Sequence, residues 1–421
     1  MRSGTHGVVV TGVGVLAALG DSSGALHRAL AAGRSAVRPL ETLAAPGLAA
    51  TWPDWGAELD GYSPERYLEG ANLRPLDRTG RLATAAACLA IADAGWSEEL
   101  LAEAEAGLVL GTMFGSVRTI AEFDRRALTA GPAYVKPFDF ANSVINAAAG
   151  QAAIHHRLTG VNTTVAGGTT AGLQALAHAA DLIRLGRARA VLAGGAEEMC
   201  FESFLGFARA GWLAPAPNGH PNGGGDAVPF HARRRGFRLG EGAALLALEE
   251  EGEARSRGAR VLARVAGSGS GFDPSRGADP VSAAAAVART AAAALAEAGL
   301  APDEIDCLSA SASGSPAVDR AEAAGIAALF GADASRLAVT AVKGQLGETL
   351  GASGAFQAVV LLEAFASGEL PGIAGLDAPE DGLPLTVGAE SRRGRFARGL
   401  VTSVGLDGAV AALVLETEAA R

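Results

Sequence analysis

Residues 165–176 read VAGGTTAGLQAL. An apolar, β-branched lead-in meets the glycine pair Gly167-Gly168, and an alanine- and leucine-bearing helix pattern follows. This is the layout of a strand that turns sharply into a helix, a place where enzymes often mount a nucleophile. No cysteine stands in the turn, and the first side chain there able to do chemistry is Thr169. Around it the pattern predicts a strand over residues 161–165, a helix over 170–185 stopped by Gly186, and a strand over 188–193. Such β-turn-α-β units build mostly parallel sheets covered on both faces, which makes the chain α/β.

Working outward, GVVVTGVGVLAALGDS predicts a strand over 8–11, a glycine turn and a helix over 23–32. Gly12, Gly14 and Ala17 satisfy the GxGxxA pattern of a dinucleotide turn, but Gly20 and Asp21 interrupt the chain before any helix opens. No acidic-tipped strand follows at the right distance, so a nicotinamide site is not expected. Next come an alanine-rich helix over 82–94 carrying Cys88, a strand over 106–111, and a helix over 118–128. A loop with Pro132 and Pro137 precedes a further helix within residues 140–160.

The second half repeats this grammar, with strands over 243–249 and 261–267, a polyalanine helix over 281–298 and a strand over 306–310. A helix over 320–330, a long helix within 341–365 and two final strands joined by a glycine turn complete it. GAALLALEE at 242–250 resembles GAVAALVLE at 408–416. Two similar halves are therefore expected, residues 1–255 and 256–421, with the junction near 250–260.

The composition fits. The 421 residues are 49% apolar but only 5% aromatic, which favours close packing of small side chains over an aromatic core. A net charge of -10 argues against nucleic acid or an anionic membrane as partner. The arginine runs Arg233, Arg234, Arg235 and Arg392, Arg393, Arg395, Arg398 read as a solvated loop face or as a docking spot for an acidic carrier. Cys88, Cys200 and Cys307 are too sparse for a zinc site or disulfide framework, and with no long apolar N-terminal run the expected location is cytoplasmic. His155 and His156 are adjacent and so diverge on a helix, and the remaining histidines are scattered. No metal site is expected.

The segment beginning PFHARRRGFRLGEGAALLALEE at Pro229 resembles the PFDxxRxGFxxGEGAGxLxLE stretch of the β-ketoacyl synthase family of the thiolase superfamily. Phe230, Arg234, Gly236, Phe237, Gly240, Glu241 and Gly242 carry the match. The resemblance implies a thiolase-like fold, its two halves forming an αβαβα layered architecture with mixed five-stranded sheets. It also implies a nucleophilic cysteine in a TACSSGLQAL-like turn, and that position is Thr169 here. A thiolate is stabilised by the helix N-terminus, whereas a threonine hydroxyl needs a positioned base. The family's HGTGTPxxD reads SASGSPAVD, with Ser311 for the first histidine. Its KSxxGHxxxAAG reads KGQLGETLGASG, with Lys343 retained and Glu348 for the second histidine. Serine is a weak donor and glutamate opposes developing negative charge, so the resemblance implies a disarmed site. The family's GFGG gate turn is matched by Gly405, Leu406, Asp407 and Gly408.

A full-length scaffold with all three catalytic positions changed is similar to the chain length factors, the ketosynthase β subunits of type II polyketide synthases. That resemblance implies a heterodimer with a ketosynthase α subunit, an acyl chain delivered on a phosphopantetheinyl acyl carrier protein, and no cofactor. Phe114, Val117, Ile120 and Phe123 at helical spacing are candidates for the wall of an interface tunnel, with Phe138, Phe140 and Asn142 beside them. Ordinary core packing is the other reading of that stripe. Chain length factors most often carry glutamine where Thr169 stands, which leaves aromatic and reduced polyene products equally open. An acyl-processing enzyme using Thr169 with Glu348 as base, and a homodimeric acyl-binding protein, are the alternatives. Lys343 reads equally as an ion-pair partner or as a functional group.

Overall fold

The computed structural model describes residues 6–40, 55–70, 72–216 and 223–418. In it, ten strands form one continuous sheet. In chain order they are β1 (Val8–Ala17), β2 (Gly107–Gly111), β3 (Asn162–Val165), β4 (Ala190–Glu197) and β5 (Gly242–Glu250), then β6 (Ala263–Phe272), β7 (Cys307–Ser309), β8 (Ala338–Thr340), β9 (Arg398–Val404) and β10 (Ala409–Glu416). The spatial order is β8-β7-β9-β10-β6-β1-β5-β4-β2-β3. From the centre outward each half has two antiparallel pairings and then two parallel ones, in the same chain sequence. Within the sheet the halves meet where β1 and β6 pair through Val9 with Arg264 and Val10 with Ala263. Two mixed five-stranded units are thus joined edge to edge.

The helices include α1 (Arg78–Ala94), α2 (Val117–Ala130), α3 (Ala147–His156), α4 (Ala171–Arg184), α5 (Phe201–Arg209), α6 (Pro280–Ala298), α7 (Pro316–Phe330) and α8 (Ser353–Ser367). α4 and α8 pack on each other and on strands of both halves, forming the middle layer. Leu173, Leu176, Ile183, Phe356 and Val359 sit in the core cluster that includes strand residues from both halves. α1 and α3 cover the outer face of the first half, and α6 and α7 that of the second. The result is the αβαβα arrangement of a thiolase-like ketosynthase fold. Two segments, Pro280–Ala298 and Leu350–Ser367, are long and apolar enough to cross a membrane by length and composition, and both pack within this layered core.

Three local outcomes differ from expectation. β1 does not stop at Thr11 but runs on to Ala17, straight through the GxGxxA pattern. A Cβ on Gly14 would lie 2.0 Å from the Ala86 carbonyl oxygen and one on Gly12 2.4 Å from the Ala94 nitrogen. These glycines let α1 lie close on β1 and form no phosphate turn. The long helix expected within 341–365 is broken, because Glu348 N–H donates to the Arg238 carbonyl at 2.7 Å and the Glu348 carbonyl accepts from Gly240 N–H at 3.0 Å. That pairing, with Gly347 at φ 73°, turns the chain so that α8 starts only at Ser353. Residues 338–340 add the edge strand β8, which the sequence pattern did not reveal.

Candidate functional site

Thr169 sits where β3 turns into α4. Gly168 takes φ 61°, a left-handed conformation that suits glycine, and the tight turn Gly168–Thr170 opens the helix. Small residues admit the neighbouring chain, since a Cβ on Gly172 would come 2.6 Å from the Gly351 carbonyl. Thr169 is only 3% exposed, and its hydroxyl has no hydrogen-bond partner. The Thr169 carbonyl accepts from the Ser403 hydroxyl at 3.2 Å. No base touches the hydroxyl.

Ser311, Lys343 and Glu348 come together in a buried group. Lys343 Nζ donates to Glu348 Oε2 at 2.8 Å and to Ser311 Oγ at 3.2 Å. Glu348 Oε1 accepts from Leu350 N–H at 3.0 Å and from the Ser353 hydroxyl. Ser311 Oγ also accepts from Val404 N–H at 3.0 Å. Both carboxylate oxygens of Glu348 are therefore occupied, and Lys343 is held in an ion pair. None of the bonds to that carboxylate comes from the Thr169 hydroxyl.

The two long motifs are tied together through Asp319. Fully buried Asp319 accepts from Phe230 N–H at 3.0 Å, Ser313 N–H at 3.0 Å and Gly314 N–H at 3.2 Å. Arg234 Nε stands 3.3 Å from the same carboxylate as a charge partner, without the alignment of a hydrogen bond. Arg234 Nη2 reaches Glu380 at 2.6 Å. Arg234 is thus buried and paired, correcting its expected place on a solvated face, while Arg233, Arg235, Arg392, Arg393 and Arg395 are exposed. Arg398 pairs with Glu304 and Glu416.

A cavity of about 400 Å³ opens beside Thr169. Phe114, Val117, Phe207, Trp212 and Leu406 supply most of its apolar wall. Its polar lining is Thr169, Ser203, Glu202 and Asp407. The turn Gly405, Leu406, Asp407, Gly408 is held by Gly405 N–H to the Ala409 carbonyl at 2.7 Å and Ala409 N–H to Asp407 Oδ1 at 3.1 Å. It thereby sets Leu406 and Asp407 on the cavity. Of the stripe expected to share one face, Phe114 and Val117 line this cavity, while Ile120 and Phe123 do not. Phe123 packs on Phe140 with ring centroids 6.0 Å apart. Phe138 and Phe140 are largely exposed, and Asn142 is buried with its amide donating to the Pro75 carbonyl at 2.7 Å.

Residues 5–254 match the family model for the β-ketoacyl synthase N-terminal domain, and residues 262–377 that for the C-terminal domain. The chain belongs to the β-ketoacyl synthase family. It is 31% identical over 410 residues to 3-oxoacyl-[acyl-carrier-protein] synthase 2 of Coxiella burnetii, covering 97% of this chain and 98% of that one. It is 32% identical over 416 residues to the tetracenomycin polyketide synthase ketoacyl synthase beta subunit of Streptomyces glaucescens, with 97% and 98% covered. Among solved structures, the ishigamide ketosynthase/chain length factor superposes with a TM-score of 0.88 at 30% identity, covering 98% of this chain and 99% of that one.

Several buried acids of this ketosynthase-family chain were not singled out from its sequence. Glu197 accepts from Met113 N–H at 2.5 Å, Phe114 N–H at 3.0 Å and Gly351 N–H at 3.2 Å, so it fixes the loop that presents Phe114. Burial raises its carboxyl to about 7 against the pull of those bonds. Glu322 accepts from Ser311 N–H at 2.7 Å and from the Thr402 hydroxyl at 2.5 Å through one oxygen, and its other oxygen is unpartnered. Burial raises it too, to about 7. Neither acid belongs to a motif with chemistry attached, and only the folded contacts expose their role.

The cysteines and histidines lie elsewhere. Burial pushes the Cys200 thiol up to about 11 and the Cys307 thiol higher still, away from thiolate chemistry. His156 is lowered to about 4 by burial and bonds the Thr84 carbonyl at 2.8 Å. Among the described residues no cluster of three metal-binding side chains occurs.

Proposed function

We propose that this β-ketoacyl synthase family member is a chain length factor, a catalytically degenerate subunit of a type II polyketide synthase making an aromatic or reduced polyene product. The observation that carries the proposal is the closed Lys343–Glu348–Ser311 group together with a Thr169 hydroxyl that no base hydrogen-bonds. Its partner would be a cysteine-bearing ketosynthase α subunit, and the acyl chain would arrive on a phosphopantetheinyl acyl carrier protein in the cytoplasm. Condensation belongs to that partner. This chain supplies shape, with no metal or cofactor of its own.

The physics of such a role is steric. A growing chain gains about 0.8 kcal/mol per buried methylene until it meets a wall, where overpacking costs more than elongation returns. Phe114 and Val117 on the cavity are walls of that kind. The segment that follows them carries exposed Tyr134, Phe138, Phe140, Val144 and Ile145, an apolar surface suited to a partner subunit. The likeness to a named ketoacyl synthase beta subunit and to a ketosynthase/chain length factor supports the same reading.

Co-expression with a cysteine-bearing ketosynthase tests it. A stable 1:1 complex that makes polyketide is the expected result, and a chain that stays a homodimer and leaves product unchanged would overturn the proposal. The alternative of Thr169 as acyl acceptor draws on its unpartnered hydroxyl. Intact mass after incubation with acyl-carrier substrate separates the two, since an adduct lost in Thr169→Ala would favour the enzyme.

A further inference from the structure

The cavity beside Thr169 has an uneven charge. Two of its lining residues, Glu202 and Asp407, carry carboxylates, and among the described residues no lysine, arginine or histidine lines it. Asp407 lies against the nucleophile turn, where a Cβ on Gly168 would be 3.5 Å from its Oδ2. Arg118 Nη2 donates to the Met199 carbonyl at 3.2 Å, and Arg276 lines the smaller adjacent cavity with Asp273; neither lines this one. Thr169, 3% exposed, lines the same space, and its buried hydroxyl has a donor and an acceptor that no protein group uses.

We propose that this cavity selects its occupant by charge: it accepts an aliphatic chain whose head group is neutral or cationic, and it rejects one that ends in carboxylate. The apolar wall of Phe114, Val117, Phe207, Trp212 and Leu406 rewards any alkyl chain equally. Discrimination then falls on the head group. An anion entering the pocket meets half-buried Glu202 and exposed Asp407 with no cation among the lining residues, whereas an alcohol brings no charge and an ammonium gains two counter-charges. A malonyl half-ester, which carries a free carboxylate at neutral pH, is rejected for the same reason. This deepens the acyl-cavity reading above and rests on it.

Equilibrium dialysis of the full-length protein against decan-1-ol, decylammonium and decanoate, at neutral pH and low salt, tests the proposal. Decanoate is expected to bind at least about tenfold more weakly than the alcohol or the amine, with the gap shrinking as salt is raised. Glu202→Gln combined with Asp407→Asn brings decanoate to within about threefold of decan-1-ol. Phe114→Trp, which fills the cavity, weakens all three. Equal binding of decanoate and decan-1-ol, discrimination that survives the double variant, binding indifferent to Phe114→Trp, or no saturable binding at all would each overturn it. A productive complex with a ketosynthase, found together with equal binding of alcohol and carboxylate, would sink the charge selection and leave the subunit role standing.

Discussion

Glu348→Ala strands a charge. Lys343 is 4% exposed and Glu348 is 4% exposed, so the pair is shielded from water. Removing the carboxylate leaves the ammonium hydrogen-bonded to Ser311 Oγ at 3.2 Å, with Glu322 as the nearby acid that still attracts it. Breaking a buried pair in this way costs about 3–5 kcal/mol. Leu350 N–H also loses its acceptor at 3.0 Å, which belongs to the same loss. A total near 4 kcal/mol corresponds to roughly a thousandfold fall in the ratio of folded to unfolded protein. Urea unfolding followed by circular dichroism reads it as a large drop in midpoint. The double variant Lys343→Met with Glu348→Leu removes both charges and recovers to within about 1 kcal/mol of the parent, because apolar replacement of a buried pair is often neutral or better. A Glu348→Ala protein within 1 kcal/mol of the parent, or a double variant no better than the single one, would refute the claim that Glu348 is a structural counter-ion.

Other outcomes follow from the same contacts. Thr169→Cys alone does not restore condensation, because Ser311 and Glu348 remain; measurable ketide formation by that variant without a partner would say otherwise. Phe114→Ala lengthens the product of the reconstituted pair, and Phe123→Ala, off the cavity, leaves it unchanged by mass spectrometry. Glu322 binds its proton more tightly when folded, with its carboxyl raised from 4.5 to about 7. The stability this contributes is complete below about pH 4.5 and is lost as pH rises towards 7, on the order of 3 kcal/mol in all. Glu322→Gln flattens that slope in urea unfolding measured across the range, and an unchanged slope would place the proton elsewhere.

What the sequence made legible was local. The strand, glycine turn and helix around Thr169 follow from short-range pattern, and the repeat of GAALLALEE in GAVAALVLE announced two equivalent strands, β5 and β10, which occupy matching places in the two halves. What stayed hidden depends on distant partners. The break at Gly347 arises because Glu348 pairs with Arg238 and Gly240, more than a hundred residues away. β8 is three residues long and sits at the sheet edge, too short for any periodicity to mark it. The even spacing of Phe114, Val117, Ile120 and Phe123 suggested one face, yet helix α2 begins only at Val117, so Phe114 lies on the preceding loop and is placed by Glu197. Glu197 and Glu322 look like ordinary acids until burial and their hydrogen bonds are known.

Turnover by the purified chain alone, supplied with acyl and malonyl groups on their carrier protein, tests the proposed loss of catalysis most directly. The expected result is neither decarboxylation nor chain extension above background, with product appearing when a cysteine-bearing ketosynthase is added. Chain extension by the lone protein, abolished in Thr169→Ala, would contradict it.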